Sequence, residues 1–379
     1  MKITNLFLAL LVSSVTITSC KKDEDEETKS ELSIPANYDG SNFAANAATQ
    51  LKLIDQLGEL TTEAKRGRDS SNTVSQTDLS VLFTLNDPSL EDEVTMYFKN
   101  KLTGTNGWFA ELASASGKSW SPKTPTTGDQ GGVYGGYLFD ENGLEMEQLV
   151  EKGQFNATLY NHATKLMSEP ITLKTCDQLV AIFGAKPAFA NSGSSNAGDN
   201  KDKALANYGA RRDKNDGNGM YTRIKNSFIT LQSAVKAGEE FNNNRDVALK
   251  EIQLFWEGIN AATVINYCHT PIRVLSEANP TDDQVGGALH AIAEGIGFIH
   301  GLKEINPSYR RITDAQIDEV LVLFNAPAGG TPNVYKFATN PSTELVKLQE
   351  IITKLKGIYN FSTQEIEDFK TNWVSQQSR

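Results

Sequence analysis

Apolar side chains recur at intervals of three and four residues along most of this chain. Five of them, from Phe43 to Leu57, lie on one face of a predicted helix that ends near Lys65. The same spacing predicts further helices over residues 77–85, 90–102, 107–115, 142–167, 176–183, 203–212, 220–243, 246–268, 283–303, 314–324, 343–359 and 363–376. Strict alternation, the pattern of a half-buried strand, is scarce. The sequence therefore predicts an all-α fold of one large or two packed helical bundles with long loops.

Start signals and loop composition set the limits of several predicted helices. Three helices begin with the capping-box pattern, in which a hydroxyl residue precedes Glu or Gln by three positions: Thr281 with Gln284, Thr313 with Gln316, and Ser362 with Glu365. Residues 121–136 contain two prolines and five glycines and are predicted to form a long loop. Residues 186–203 are rich in small and polar side chains and are predicted to form a loop or an internal hinge. The helical domain is predicted to span residues 37–376.

The first 36 residues have the composition of a secretory signal followed by a tether. Residues 3–12 are largely apolar, but this segment is too short to span a bilayer permanently. Residues 17–20, Ile-Thr-Ser-Cys, resemble the lipobox of bacterial lipoproteins. The resemblance implies removal of residues 1–19 as a signal peptide and acylation of Cys20 with fatty acids such as palmitate. Residues 20–36 would then be the lipidated cysteine and an acidic tether.

An acidic run follows the predicted anchor. Residues 23–27 read Asp-Glu-Asp-Glu-Glu, which resembles the surface-export signals of Bacteroidetes lipoproteins. The alternative interpretation is that this run is only a solvated part of the tether. We therefore expect a lipid-anchored protein of the outer membrane, exposed at the cell surface, with the periplasmic leaflet as the alternative location. No later stretch of the sequence is apolar enough to cross a membrane.

The charge and the cysteine content exclude several classes of function. The net charge of −11 argues against nucleic acid as a partner, because nucleic-acid binding depends on basic surfaces. Besides Cys20, the chain has Cys176 and Cys268, which could form a disulfide or remain as two buried thiols. No zinc-binding spacing of Cys and His occurs. No catalytic motif is recognisable either, so the chain is not expected to be an enzyme.

His290 and Glu294 form the main candidate site. They are four residues apart on a predicted helix, so both side chains lie on one face. A stripe of glycines borders them and would let another helix or a ligand approach closely. Glu257 lies in the middle of a helix that is apolar almost all round, where a lone carboxylate requires a partner. In one interpretation His290, Glu294 and Glu257 bind a metal ion or ligand between facing helices. In the other they are structural polar groups. In both, Glu257 is predicted to contact the His290 helix or Arg273.

Eight short segments, taken in their order along the chain, together resemble a known protein family. They are Gly143-Leu144-Glu145, Gln148-Leu149, Lys152-Gly153, Tyr208-Gly209, Phe255-Trp256-Glu257, His290-Ala291, Glu294-Gly295 and Gly297-Phe298-Ile299. Over roughly residues 35–376 the chain resembles an uncharacterised Bacteroidetes lipoprotein family, the domain of unknown function 4856. The helical pattern is also similar to that of imelysin-like proteins, which carry a Gly-x-His-x-x-Glu signature. Here the spacings from Gly287 to His290 and from His290 to Glu294 are each one residue longer.

The resemblance also implies which proteins act together with this one. Such proteins accompany imelysin-like lipoproteins and TonB-dependent receptors in iron-acquisition loci. We therefore expect an accessory binding protein that serves nutrient uptake, with iron or an iron carrier as its cargo. One alternative is a metal-dependent hydrolase of the imelysin-like type that uses His290, Glu294 and Glu257. Another is a helical glycan-binding lipoprotein that partners an outer-membrane transporter; its exposed aromatic platform would come from Trp108, Trp120, Tyr134 and Tyr137.

The lipid anchor makes the first testable prediction. Cys20→Ala should move the protein from the membrane fraction to the soluble fraction, because Cys20 is the only cysteine that follows a lipobox-like sequence. Fractionation of cells and detergent partitioning measure this, with Cys176→Ala as a control that should remain membrane-bound. A Cys20→Ala protein that partitions into detergent like the wild type would contradict the anchor.

Overall fold

Helices make up most of residues 31–379, the part of the chain that the computed structural model describes. They are α1 (Phe43–Asn46), α2 (Ala48–Lys65), α3 (Gln76–Phe83), α4 (Leu90–Glu93), α5 (Met96–Thr103), α6 (Trp108–Ala115), α7 (Met146–Gln154), α8 (Asn161–Ser168), α9 (Leu173–Phe183), α10 (Ala204–Arg212), α11 (Met220–Ala237), α12 (Asn242–Leu275), α13 (Asp282–Gly301), α14 (Asp314–Leu323), α15 (Lys336–Thr339), α16 (Pro341–Tyr359), α17 (Thr363–Asp368) and α18 (Trp373–Gln376). One antiparallel hairpin joins β1 (Gly132–Tyr134) to β2 (Tyr137–Phe139). The predicted all-α fold is confirmed.

The helical fold extends over Leu32–Arg379, which form one compact unit. The predicted signal peptide (residues 1–19), Cys20 and most of the tether (residues 20–36) lie outside the described residues. Within residues 31–379, no helix combines the length and the apolar character needed to cross a bilayer. Residues 186–203 form an irregular segment with a short 3-10 turn, and the internal hinge stays a prediction.

Capping side chains explain where several helices begin. The three predicted capping boxes are all present, at the starts of α13, α14 and α17. The helix predicted over residues 90–102 is wrong in one respect, because it is broken into α4 and α5. Thr95 causes the break: its hydroxyl accepts a hydrogen bond from the Phe98 amide, and its own amide donates to the Ala157 carbonyl. Apolar spacing predicted the buried face of this helix but not the break that the Thr95 cap introduces.

The helix predicted over residues 142–167 begins later and changes its pitch. The buried Asp140 carboxylate accepts hydrogen bonds from the amides of Asn142 and Leu144, so the helix starts only at Met146. Between α7 and α8, the residues Phe155–Tyr160 form a π-helical turn. Such wider turns are rare inside α-helices. Beyond this turn, His162 and Lys165 of α8 contact Glu93 of α4 at 3.0 and 2.7 Å.

The core is built around α12. This helix has 34 residues, so it is about 50 Å long. It packs against α10, α11, α13 and α16, and α13 in turn packs against α7. Trp256 and Cys268 of α12 are buried, as is Cys176 of α9, and both cysteines are free thiols. The helix that the sequence identified as apolar all round is thus the centre of the fold.

The predicted glycine stripe allows α13 to lie directly against α7. A Cβ atom placed on Gly297 would lie 2.7 Å from the carbonyl oxygen of Gln148. On Gly301 it would lie 2.2 Å from the carbonyl oxygen of Gly153. Such separations are shorter than side-chain contacts permit, so these glycines are required by the close approach of two backbones. The helix that approaches the stripe is α7.

Alanine substitutions in α13 test this contact. Gly297→Ala should lower the free energy of unfolding by about 1–3 kcal/mol, because the added methyl group overpacks the α7 interface. Gly287→Ala is the matched control in the same helix: nothing lies within 4 Å of the place that its methyl group would take, so helix propensity should raise stability by up to ~1 kcal/mol. Urea unfolding measures both changes. Equal effects of the two substitutions would contradict the close packing.

Candidate functional site

The structure brings His290 and Glu294 together on the side of α13 that faces α7. The His290 Nε2 atom lies 3.6 Å from Glu294 Oε2. The other ring nitrogen, Nδ1, lies 2.6 Å from Oε2 of Glu145, the residue before α7. The imidazole also stacks on the ring of Tyr137 in β2, with the ring centroids 4.3 Å apart. His290 is therefore held on three sides by groups from different parts of the chain.

Glu145 is the completely buried member of this cluster. Its carboxylate lies between His290 and Arg68, whose Nη2 atom is 2.9 Å from Glu145 Oε1. Burial alone would raise the pKa of Glu145, but His290 and Arg68 outweigh burial and lower it. Burial alone would lower the pKa of His290, but Glu145 and Glu294 outweigh burial and raise it. The pair is thus stabilised as a carboxylate and an imidazolium.

A second pair of carboxyl groups, Glu147 and Glu151, belongs to α7 itself. Arg68 and Gln148 both donate hydrogen bonds to Glu147. Burial, together with repulsion from Glu145 and Glu151, raises the pKa of Glu147 to about 8. Burial opposes ionisation of Glu151 too, but Lys152 and Lys65 lower the pKa of Glu151 to about 2. At neutral pH Glu147 is therefore largely protonated, whereas Glu151 is ionised.

Lys152 connects these groups to Glu294. Its ammonium lies 2.7 Å from Glu151 Oε2 and 3.5 Å from Glu294 Oε1. It also lies 5.3 Å from the centre of the Tyr208 ring, and the Tyr208 hydroxyl is 3.4 Å from Glu294. Burial alone would lower the pKa of Lys152, but Glu151 and Glu294 raise it above its ordinary value. Lys152 therefore remains charged in the interior.

These side chains surround a cavity of about 280 Å³. It lies between α2, α7, α10 and α13 and is lined by Lys65, Arg68, Gln148, Glu151, Lys152, Phe155, Ala204, Asn207, Tyr208, Arg211, His290 and Glu294. The Gln148 side chain is buried, and its carbonyl oxygen accepts no hydrogen bond from any described residue. Convergent polar groups in a concavity, which fix the orientation of a bound molecule, are one feature of ligand sites.

Glu257 lies in a different part of the fold, and its predicted contact with Arg273 or the His290 helix is wrong. The carboxylate is buried and accepts hydrogen bonds from the amides of Arg311 and Ile312, at 2.6 and 2.8 Å. The Tyr359 hydroxyl donates a third bond at 2.6 Å. Glu257 thus joins α12 to α16 and to the segment before α14. A ligand set of His290, Glu294 and Glu257 is not assembled.

No group of three or more His, Cys, Asp or Glu residues within residues 31–379 is arranged to hold a metal ion. His290 Nδ1 is already engaged by Glu145, and its raised pKa favours the protonated ring, whereas a metal ligand must be neutral. The geometry around His290 is that of a charged hydrogen-bond network.

The four aromatic residues predicted for a glycan platform are buried or half-buried. Trp108 is 7% exposed and Trp120 is 9% exposed. Tyr134 meets Trp120 edge-on, with an angle of 89° between the rings, and donates a hydrogen bond to Asp282. The face of the Tyr137 ring is covered by the stacked ring of His290. These four candidates therefore form no exposed coplanar pair.

Sequence reasoning missed the cations that complete the cluster. Arg68 follows α2 in a 3-10 turn, and Lys65 is the last residue of α2. Both lie more than 70 positions before α7, so no local spacing relates them to Glu147 or Glu151. One signal was available in the sequence, since Glu145, Lys152, Tyr208, His290 and Glu294 all belong to the segments that carry the family resemblance.

The raised pKa of Glu147 predicts an alkaline loss of stability. Folding raises this pKa from 4.5 to about 8, so the folded protein binds more protons and its stability falls as the pH rises between these values. Glu147→Gln keeps the side chain neutral. The melting temperature of the variant relative to wild type should therefore rise by about 2 °C or more between pH 5 and pH 9.

Differential scanning calorimetry at the two pH values measures this difference. Glu277→Gln, at an exposed position just after α12, is the control and should give the same offset at both pH values. If the melting temperature of Glu147→Gln relative to wild type is constant or falls between pH 5 and pH 9, Glu147 is ionised in the folded protein throughout this range.

Comparison with protein-family models, with curated proteins and with solved structures gave no significant match. The resemblance to the domain of unknown function 4856 and to imelysin-like proteins thus stays an expectation from the sequence.

Proposed function

We propose that this chain is a lipid-anchored accessory binding protein of the outer membrane, displayed at the cell surface, that serves nutrient uptake. Its cargo is iron held in a carrier molecule. The observation that carries the proposal is the polar cavity between α2, α7, α10 and α13, which has the converging charged groups of a binding site. TonB-dependent receptors and imelysin-like lipoproteins are the proposed partners, on the basis of the sequence resemblance.

The charge states around the cavity favour binding over catalysis. Lys152 is held as an ammonium by two carboxylates, so it has no free electron pair for nucleophilic attack. His290 is held as an imidazolium by Glu145, so it is a poor general base. Groups that are fixed by one another can hold a ligand with little further ordering, which favours affinity.

The same contacts favour a carrier over a bare metal ion as the cargo. The cavity lining has more cations than carboxylates, and Arg211 has no carboxylate partner among the described residues, so the excess positive charge opposes entry of a free cation. The hydrolase alternative lacks support because Glu257, the third residue of its proposed set, lies in another part of the fold, where it accepts a hydrogen bond from the Tyr359 hydroxyl.

A glycan-binding lipoprotein is a second candidate. The observation that favours it is a separate cavity of about 780 Å³, within the size range of small-molecule sites. Tyr97 and Trp108 line it together with Glu111 and Glu141, so aromatic and hydrogen-bonding groups occur side by side. Tight binding of a neutral oligosaccharide would favour this candidate.

Uptake of radiolabelled iron by intact cells tests the first proposal. Deletion of the gene should lower uptake from iron-limited medium, and the wild-type chain should restore it. Glu294→Gln should fail to restore uptake, because the change removes the carboxylate that holds Lys152 and His290 in place around the cavity. Immunoblotting of the cells shows whether the variant protein is present in wild-type amounts. The exposed Glu277→Gln is the control and should restore uptake fully. Unchanged uptake in the deletion strain would refute a role in iron acquisition.

A further inference from the structure

The cavity concentrates positive charge in a chain that is acidic overall. The net charge of the chain is −11, yet four permanent cations line the cavity and only two carboxylates do. The cations are Lys65, Arg68, Lys152 and Arg211, and the carboxylates are Glu151 and Glu294. A local excess of one sign in a concave site attracts ligands of the opposite sign.

Arg211 is the cation that is available to a ligand. Its guanidinium lies 4.8 Å from the centre of the Tyr208 ring, which fixes its position without neutralising it. Among residues 31–379, no carboxylate lies within ion-pair distance of Arg211, whereas Lys65, Arg68 and Lys152 each have at least one. Arg211 is partly exposed, so a ligand in the cavity can reach it.

A neighbouring cavity of about 380 Å³ continues this site. The two cavities share Lys65, Glu151, Phe155, Ala204 and Asn207 in their linings, so they are two lobes of one cleft. The second lobe adds the cations Lys201 and Lys203 and the carboxyl groups of Asp55 and Asp202. Asp202 already accepts hydrogen bonds from the Tyr221 hydroxyl and the Ser192 amide. Lys203 pairs with Asp55 at 2.7 Å, but Lys201 is exposed and has no ion pair with any described residue. Each lobe therefore contains one cation without a carboxylate partner.

Asn207 lies where the lobes meet. Its side chain lines both cavities and makes no hydrogen bond to a described side chain or backbone group. An amide offers donors and an acceptor, so it can bind a hydroxyl or a carboxylate of a ligand that crosses between the lobes.

We propose that this cleft binds a small multivalent oxyanion, with one anionic group at Arg211 and another at Lys201. The inference rests on the proposed binding function and specifies the chemical class of its ligand. The planar guanidinium of Arg211 suits two parallel hydrogen bonds to a carboxylate or phosphate group, and Lys201 supplies a point charge. A ligand with a single anionic group can satisfy only one lobe, so valence decides affinity.

Isothermal titration of the purified full-length chain tests the class of ligand. The probes are citrate and pyrophosphate as multivalent oxyanions, acetate as a monovalent one, glucose as a neutral compound and putrescine as a cation. Citrate or pyrophosphate should bind at least tenfold more tightly than acetate, and glucose and putrescine should not bind. The stronger of the two multivalent probes shows whether carboxylate or phosphate is preferred. Higher salt should weaken the binding.

Variants locate the site. Arg211→Gln should weaken binding of the preferred oxyanion about tenfold or more, the loss expected for one charge-assisted contact, and should leave the melting temperature unchanged. Arg211→Lys should retain part of the affinity. Arg223→Gln is the matched control: this arginine also lies over an aromatic ring, that of Phe255 at 4.4 Å, but lines neither lobe. It should bind like the wild type.

Three outcomes would overturn the inference. The first is binding of putrescine or glucose in preference to citrate and pyrophosphate. The second is no binding of either oxyanion at millimolar concentration. The third is wild-type affinity in Arg211→Gln. Iron uptake in the deletion strain is measured separately, so a loss of uptake without oxyanion binding would leave the proposed function standing and remove only the ligand class.

Discussion

The arrangement of the cavity depends on one buried carboxylate, that of Glu145. Burying a charge without partners costs several kcal/mol, so Glu145 requires both His290 on one side and Arg68 on the other. Those two contacts fix α13 and the turn after α2 relative to the start of α7. Tyr137 of the hairpin then stacks on the His290 ring. One ionised group thus holds four segments in place, from the turn after α2 to α13.

Local patterns in the sequence were sufficient to predict the helices but not to predict which helices and side chains contact one another. Apolar spacing and capping boxes depend on residues three or four positions apart, and both were confirmed, for example at Thr281 and Gln284. The His290 and Glu294 pair was found for the same reason. The glycine stripe correctly indicated a close neighbour, but nothing local identified that neighbour as α7. The partners of Glu257 could not be predicted either, because two of them are backbone amides, which every residue but proline carries.

The charged groups around the cavity form a chain of alternating sign. Arg68, Glu145 and His290 form one end, and Lys152 with Glu294 forms the other. The opposite charges stabilise one another, so removing one would leave its partner buried and uncompensated. Such a network gives the cavity a fixed electrostatic pattern before a ligand arrives. In the proposed ligand site, specificity would depend on the few groups outside the network, of which Arg211 is the clearest.

Because of the π-helical turn at residues 155–160, the number of residues in this segment, rather than its composition, determines how α8 is oriented. A turn of this kind holds about one residue more than an α-helical turn. A related chain with one residue fewer could continue as a regular α-helix, but everything after the turn would rotate by about 100°. α7 would still face α13, while His162 and Lys165 would point away from Glu93. A change in the number of residues at this point would therefore alter the contacts of α8 while its own side chains stayed the same.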